Sequence, residues 1–185
     1  MRKHWRFIRK FIESPAQIGS VLPSSRMLVG SMMEAVDWQR ANTVVELGAG
    51  TGVVTQAINR LRSPQSRFYC FEQDPHMRTD LMSRFPGVWL ERDAFELERV
   101  LKQRGPGQAD CIVSCLPFAN LDDTAREHLL AVIHRTLSPG GLFIAFQYSR
   151  QLLPYLSAIY DDVDTRWVML NMPPACVYIC RKKQP

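Results

Sequence analysis

The 185-residue chain has no apolar run of the roughly 18 residues that a membrane-spanning helix needs. Its first ten residues, Met1-Arg-Lys-His-Trp-Arg-Phe-Ile-Arg-Lys10, scatter charge through the place where a secretory signal would carry its apolar core. A cytoplasmic protein is therefore expected. Cysteine is sparse: Cys70, Cys111, Cys115, Cys176 and Cys180 are odd in number and form no C-x-x-C pair, which argues against a disulfide framework and a zinc site. The histidines His4, His76, His128 and His134 fall away from the predicted strand ends, so no metal is expected. Internal repeats and low-complexity linkers are also lacking, which leaves no reason to divide the chain.

What is present suits one globular domain over residues 1–185, with a helical cap at 1–41 and an α/β core at 42–185. Hydrophobic residues make up 46% and charged residues 22%. A net charge of +5 favours an acidic partner surface, either nucleic acid or anionic lipid. From Asn42 onward short β-branched runs alternate with amphipathic stretches, the pattern of βαβ units and a mainly parallel sheet. Strands are predicted at 43–47, 67–72, 88–90, 109–114, 142–147, 164–170 and 175–181. Helices are predicted at 52–61, 75–85, 95–103 and 122–137, and Ser138-Pro-Gly-Gly141 is predicted to form a turn.

The strongest motif is Val44-Val-Glu-Leu-Gly-Ala-Gly-Thr-Gly52, a hydrophobic strand running into three close glycines and then a helix. Glycine lets the backbone turn sharply and approach a ligand, and a helix N-terminus offers N–H groups to an anion. The spacing departs from the nicotinamide dinucleotide fingerprint, because the position three after Gly50 is Val53. Two acids follow at strand ends. Glu72, with Asp74 as the neighbouring alternative, is suited to accept the hydroxyls of a ribose, and Asp93 to accept an adenine amino group with Phe95 beside the ring. Each acid alone reads as a solvated loop residue; together they fall where open α/β sheets bind ligands.

This order of strand, Glu-x-Gly-x-Gly-x-Gly, acid, Asp-Ala and strand-ending Leu-Pro-Phe resembles the class I S-adenosylmethionine-dependent methyltransferases over about residues 42–181. The resemblance implies a Rossmann-like seven-stranded sheet of order 3-2-1-4-5-7-6 with the last strand antiparallel, and helices on both faces. It also implies S-adenosyl-L-methionine held by Glu46, Gly48, Ala49, Gly50, Gly52, Glu72, Gln73, Asp93, Ala94 and Ser114.

Ser114-Cys-Leu-Pro-Phe118 ends the fourth strand, where an acceptor would meet the methyl group. Leu116, Pro117 and Phe118 are the candidate acceptor contacts, the ring face of Phe118 being suited to a developing ammonium. This piece is similar to the Asn-Leu-Pro-Tyr/Phe signature of the rRNA adenine dimethylases, with Cys115 in the place of their Asn. A closer resemblance is to the small bacterial phospholipid N-methyltransferases, which methylate phosphatidylethanolamine. It is carried by Phe11-Ile-Glu-Ser-Pro-Ala-Gln-Ile-Gly-Ser-Val-Leu-Pro-Ser-Ser25, by Ser114-x-Leu-Pro-Phe118 and by Phe146-Gln-Tyr148. The resemblance implies that Ser24 and Ser25 lie near the cofactor, that Tyr148 faces the amine, and that Tyr148 and Ser114 serve the chemistry. An RNA or other amine acceptor, or a non-catalytic cofactor-binding scaffold, are the alternatives.

Wound as a helix, residues 1–13 separate Trp5, Phe7, Ile8, Phe11 and Ile12 from Arg2, Lys3, Arg6, Arg9 and Lys10. Such a basic amphipathic helix suits an anionic membrane surface, with Trp5, Arg6, Phe7, Arg9 and Lys10 as candidate contacts; packing on its own domain or lying along RNA are the competing readings. The expected place is peripheral to the inner face of the cell membrane, with the phospholipid surface as partner.

Overall fold

The computed structural model describes residues 21–184, with side chains from Arg26 onward. The membrane contacts expected at Trp5, Arg6, Phe7, Arg9 and Lys10 lie outside the described residues, as do the side chains of Ser24 and Ser25.

The elements in chain order are α1 (Val21–Met33), β1 (Thr43–Leu47), α2 (Val53–Leu61), β2 (Arg67–Phe71), α3 (Pro75–Arg84), β3 (Trp89–Glu91), α4 (Leu97–Arg104), β4 (Ala109–Ser114), α5 (Asp123–Thr136), β5 (Leu137–Gln147), α6 (Leu153–Ser157), β6 (Asp162–Val168) and β7 (Ala175–Arg181). Short 3-10 turns cover Ala94–Glu96 and Phe118–Asn120. The strands form one sheet of order β3-β2-β1-β4-β5-β7-β6, in which β7 runs antiparallel to both of its neighbours. This is the expected class I methyltransferase topology.

The central strands β1 and β4 are buried along almost their whole length and mostly apolar, because both of their faces are covered. On one face α1, α2 and α3 bring Leu28, Met32, Val54, Ile58 and Leu81 onto Val44, Cys70 and Ile144. On the other, α4, α5 and α6 set Leu97, Leu101, Leu129, Ile133 and Leu156 against Val45, Tyr69 and Phe143. The strand order reverses between β1 and β4, so the loops leaving their carboxyl ends diverge and open a crevice there. The candidate site lies along that edge.

The opposite edge is fastened by one carboxylate. Asp110 accepts hydrogen bonds from the backbone N–H groups of Asn42 (2.8 Å) and Thr43 (2.9 Å) and from the Ser138 hydroxyl (3.1 Å), tying the starts of β1, β4 and β5 together.

Three local expectations are corrected. Residues 138–141 do not form a free turn: β5 already begins at Leu137, and its glycine stretch pairs with the tail, Gly140 N–H donating to Lys182 and Lys182 N–H to Gly141. Strand β6 starts at Asp162 and ends at Val168, earlier at both ends than the predicted 164–170. The short helix α6, opened by Pro154 in its first turn, was not expected from the sequence.

Replacing the Asp110 carboxylate leaves two strand-initiating N–H groups to water alone. Asp110→Ala is expected to lower the unfolding free energy by about 2 kcal/mol, measured by urea unfolding, with the spectrum of the folded protein unchanged.

Candidate active site

The glycine turn after β1 is held from the end of β2. Gly48 and Ala49 donate their N–H groups to the Phe71 carbonyl (2.8 and 3.2 Å), and Gly50 donates its own to Glu72 Oε2 (2.7 Å). The other oxygen of Glu72, Oε1, accepts from the Asp74 N–H at 2.8 Å. Gly48 sits at φ +79°, and a Cβ built there would lie 2.8 Å from Leu116 Cδ2, so glycine is required both by conformation and by the close pass of β4's exit. Gly52 (φ +82°) caps α2 and presses on Leu81 of α3 in the same way. Because the N–H groups of residues 48, 49, 50 and 52 are bonded inside the protein, this turn contributes shape and close approach more than a row of donors.

Over the turn lies a cavity of about 210 Å³, lined by residues from the ends of β1, β2, β3 and β4. Phe71, Met77, Ala94, Leu116 and Pro117 give it apolar walls, and Glu72, Gln73, Asp74, Asp93 and Arg92 bring polar groups to it, three carboxylates against one cation. The three carboxylates are preset by backbone donors. Besides Glu72, Asp74 caps α3 by accepting from the N–H groups of His76 (2.8 Å) and Met77 (3.0 Å), and Asp93 accepts from Phe95 N–H (3.0 Å). Arg78 donates from one guanidinium nitrogen to the carbonyls of Glu72 (2.8 Å) and Gln73 (2.9 Å), which locks the segment between them. Apolar slabs with acids at one side suit a nucleoside bearing a positive charge, so the residues present fit S-adenosylmethionine.

Of the residues expected from the sequence to hold the cofactor, Gly48, Glu72, Gln73, Asp93 and Ala94 line the cavity. Ala49, Gly50 and Gly52 form the turn behind it. Glu46 does not reach the wall: it is fully enclosed on the α1–α3 face, where its Oε2 lies 3.5 Å from the Cys70 thiol that donates to it, while its Oε1 completes no hydrogen bond. Burial, only partly offset by the neighbouring Thr55 and Cys70, pushes its carboxyl up to about 7. Ser114 is also fully buried; its hydroxyl accepts from Leu116 N–H (3.3 Å) and so shapes the strand exit without touching the cavity.

On the acceptor side, Cys115, Leu116 and Pro117 line the cavity. Cys115 N–H donates to the Leu47 carbonyl (2.8 Å), joining the ends of β1 and β4. Phe118, expected to offer its ring to the amine, instead turns into the core and packs edge-on against Phe143 at 6.3 Å between centroids. The 3-10 turn after Pro117 reverses the chain and carries the ring away from the cavity. Tyr148, half exposed just past β5, shares a side-chain hydrogen bond with Asn171, and burial pushes its hydroxyl upward so that it stays protonated at neutral pH.

Two supporting residues escaped the sequence reading. Gln147 donates its amide to the Leu116 carbonyl (3.0 Å), and Arg126 donates to the carbonyls of Phe118 (3.0 Å) and Leu121 (2.7 Å) while bonding Asp123 and the Tyr155 hydroxyl. Gln147 reaches 31 residues back, and Arg126 reaches carbonyls 8 and 5 residues back across the turn that precedes its helix, so neither belongs to a local motif; the pointer to Gln147 was its place inside Phe146-Gln-Tyr148. Among the described residues no group of His, Cys, Asp and Glu is arranged to hold a metal.

Comparison with known proteins agrees with this geometry. Residues 45–143 match the family model described as a methyltransferase domain. An ornithine lipid N-methyltransferase of Singulisphaera acidiphila is 33% identical, over 98% of this chain and 97% of that protein. Among solved structures, the N-methyltransferase NodS of Bradyrhizobium japonicum with S-adenosyl-L-homocysteine superposes with a TM-score of 0.71 at 11% identity, covering 97% of this chain and 98% of that one. The 1,6-didemethyltoxoflavin-N1-methyltransferase of Burkholderia thailandensis, with bound 1,6-didemethyltoxoflavin and S-adenosylhomocysteine, gives a TM-score of 0.73 at 17% identity over 98% of this chain and 87% of that one. At those identities the two structures speak for the fold.

Glu72→Ala removes the acceptor that holds Gly50, and affinity for S-adenosylhomocysteine is expected to fall about 10- to 100-fold in calorimetric titration. Glu46 makes a different prediction. With its carboxyl raised from 4.5 to about 7, the folded chain keeps a proton that the unfolded chain has lost between those values. Its contribution is therefore full below pH 4.5 and is lost as pH rises to 7, about 3 kcal/mol in all. Glu46→Gln should match the parent at pH 4.5 in urea unfolding and exceed it in stability at pH 8.

Proposed function

The chain belongs to the methyltransferase domain family and uses S-adenosylmethionine, and on that premise we propose that it methylates the amine of a polar lipid headgroup at the membrane surface. The observation that carries the reading is the full-length similarity to an enzyme named for N-methylation of ornithine lipid. Phosphatidylethanolamine, implied by the sequence motifs, and ornithine lipid are the two acceptors to test. The basic segment of residues 1–13, outside the described residues, would attach the enzyme to the inner face of the cell membrane through Trp5, Arg6, Phe7, Arg9 and Lys10.

S-adenosylmethionine, when bound, supplies a methyl group on a positively charged sulfur. Glu72 would hold its ribose, Asp93 its adenine amino group, and the Gly48 turn would admit its chain to the crevice. The work of the protein is then mainly orientation, because the reaction is an in-line displacement. One N–C bond forms, one S–C bond breaks, and the amine nitrogen loses a proton.

The amine must reach the methyl group with its lone pair free, so the neighbouring groups should not favour the ammonium form. Cys115 serves this well: burial pushes its thiol far upward, leaving a neutral lining. Tyr148, also neutral, can accept a hydrogen bond from the amine through its hydroxyl oxygen and so orient it, while the proton released passes to water. Ser114 and Gln147 would act at one remove, by fixing Leu116.

Purified enzyme, radiolabelled S-adenosylmethionine and vesicles containing either phosphatidylethanolamine or ornithine lipid test the reading directly. Label is expected in the lipid phase with one of the two. Tyr148→Phe should lower kcat about tenfold with an unchanged KM for the cofactor. Label reaching neither lipid would refute the proposal.

A further inference from the structure

The β6–β7 hairpin takes no part in the chemistry above, yet its turn lies at the edge where the cavity opens. Strand β6 ends, like β1 to β5, at the carboxyl edge, because β7 is antiparallel to both of its partners. The turn there exposes Met169 (67%), Leu170 (70%) and Met172 (71%), with Trp167 (45%) at its base. Single exposed apolar residues are ordinary; three long ones within four positions make a patch. They are turned outward by a fixed turn: Asn171 is buried between them, its N–H donating to the Val168 carbonyl (3.2 Å) and its amide to the Pro173 carbonyl (2.7 Å). The side-chain bond between Asn171 and Tyr148 ties this turn to the proposed amine contact.

The charges around the patch narrow its occupant. No charged residue occurs from Trp167 to Cys180, and from Gly141 to Tyr160 the single charged residue is Arg150. Arg150 is exposed on the same edge, close enough to Cys176 and Tyr178 at the root of the hairpin to act on both electrostatically. An apolar tip flanked by a ring that favours interfaces and by a cation, with no carboxylate along it, matches a bilayer whose phosphates lie just above its acyl chains.

We propose that the β6–β7 tip is a membrane-insertion element, in which Met169, Leu170 and Met172 enter the acyl boundary and Arg150 meets lipid phosphate. The element sets the cavity mouth at headgroup depth. This rests on the lipid-amine reading of the active site and adds to it a surface that recognises the bilayer independently of the N-terminal segment.

The test compares the full-length chain with its Met169→Ser/Leu170→Ser/Met172→Ser variant on vesicles of phosphatidylglycerol with phosphatidylethanolamine or ornithine lipid, whichever of the two accepts label. Vesicle-bound protein in flotation is expected to fall about tenfold, and methyl transfer to vesicle lipid with it. Transfer to the same lipid dispersed in detergent micelles, affinity for S-adenosylhomocysteine and the melting temperature should stay at the parent values. A Met169→Leu/Met172→Leu variant should bind vesicles as the parent does. Equal flotation of parent and triple variant would overturn the proposal. So would a parent dimer that the triple variant turns into a monomer, which would make the tip a contact between copies. Absence of transfer to both phosphatidylethanolamine and ornithine lipid in micelles would instead bring down the lipid-amine reading, and flotation would still decide the role of the tip.

Discussion

The hydrogen bond from Gly50 N–H to the Glu72 carboxylate is the contact on which the site depends. It joins the turn after β1 to the end of β2 on one side of the crevice, at 2.7 Å and away from solvent. With the Phe71 carbonyl taking the two preceding N–H groups, it holds a backbone whose glycines have φ values of +79°, +54° and +82°. Such a path is open to glycine at little steric cost and closed to most other residues. Leu116 lies directly over Gly48, so the cofactor side and the acceptor side of the cavity touch through one missing side chain. A shift in the Glu72 grip would therefore move the strand exit that presents the acceptor.

Beneath this turn the same architecture carries a cost. Glu46 is enclosed among apolar side chains with one oxygen unsatisfied, and its raised carboxyl near 7 expresses the penalty of burying its charge. A residue chosen for packing alone would be apolar there. Strain and unsatisfied polar groups that persist in a fold commonly mark functional positions, and this one lies directly below the turn that the cofactor approaches. The amino edge shows the opposite economy, since each Asp110 oxygen is satisfied by groups that begin neighbouring strands.

Much of this was legible in the residues. Val44-Val45 and Ile112-Val113 read as strands because parallel strands covered on both faces are β-branched and unbroken. Glu72 and Asp93 stood out because acids at strand ends are informative where acids on loops are not. Other features left no local trace. The Phe118 ring follows a proline and a 3-10 turn, and its direction is decided by Phe143, a partner on another strand. Residues 138–141 carry turn chemistry, yet pairing with Lys182 draws them into β5. Gln147 bonds a carbonyl 31 residues away, a relation that only the packed sheet creates, and Arg126 bonds one 8 residues away by folding back from α5 onto the turn before it.

The distribution of charge across the cavity has its own logic. Carboxylates crowd the side formed by β2 and β3, with Glu72, Asp74 and Asp93 all anchored by backbone donors before any ligand arrives. The side formed by the exit of β4 presents the Cys115 thiol, with the Tyr148 phenol near it but off the cavity lining, both pushed upward by burial and both neutral. A positively charged sulfur is stabilised by the first arrangement. An attacking amine requires the second, because a carboxylate beside it would favour the ammonium form, whose lone pair is already bonded to a proton. Cys115 at the strand exit is thus suited to its place by what it lacks: it lines the cavity without charge and leaves the acceptor free to react.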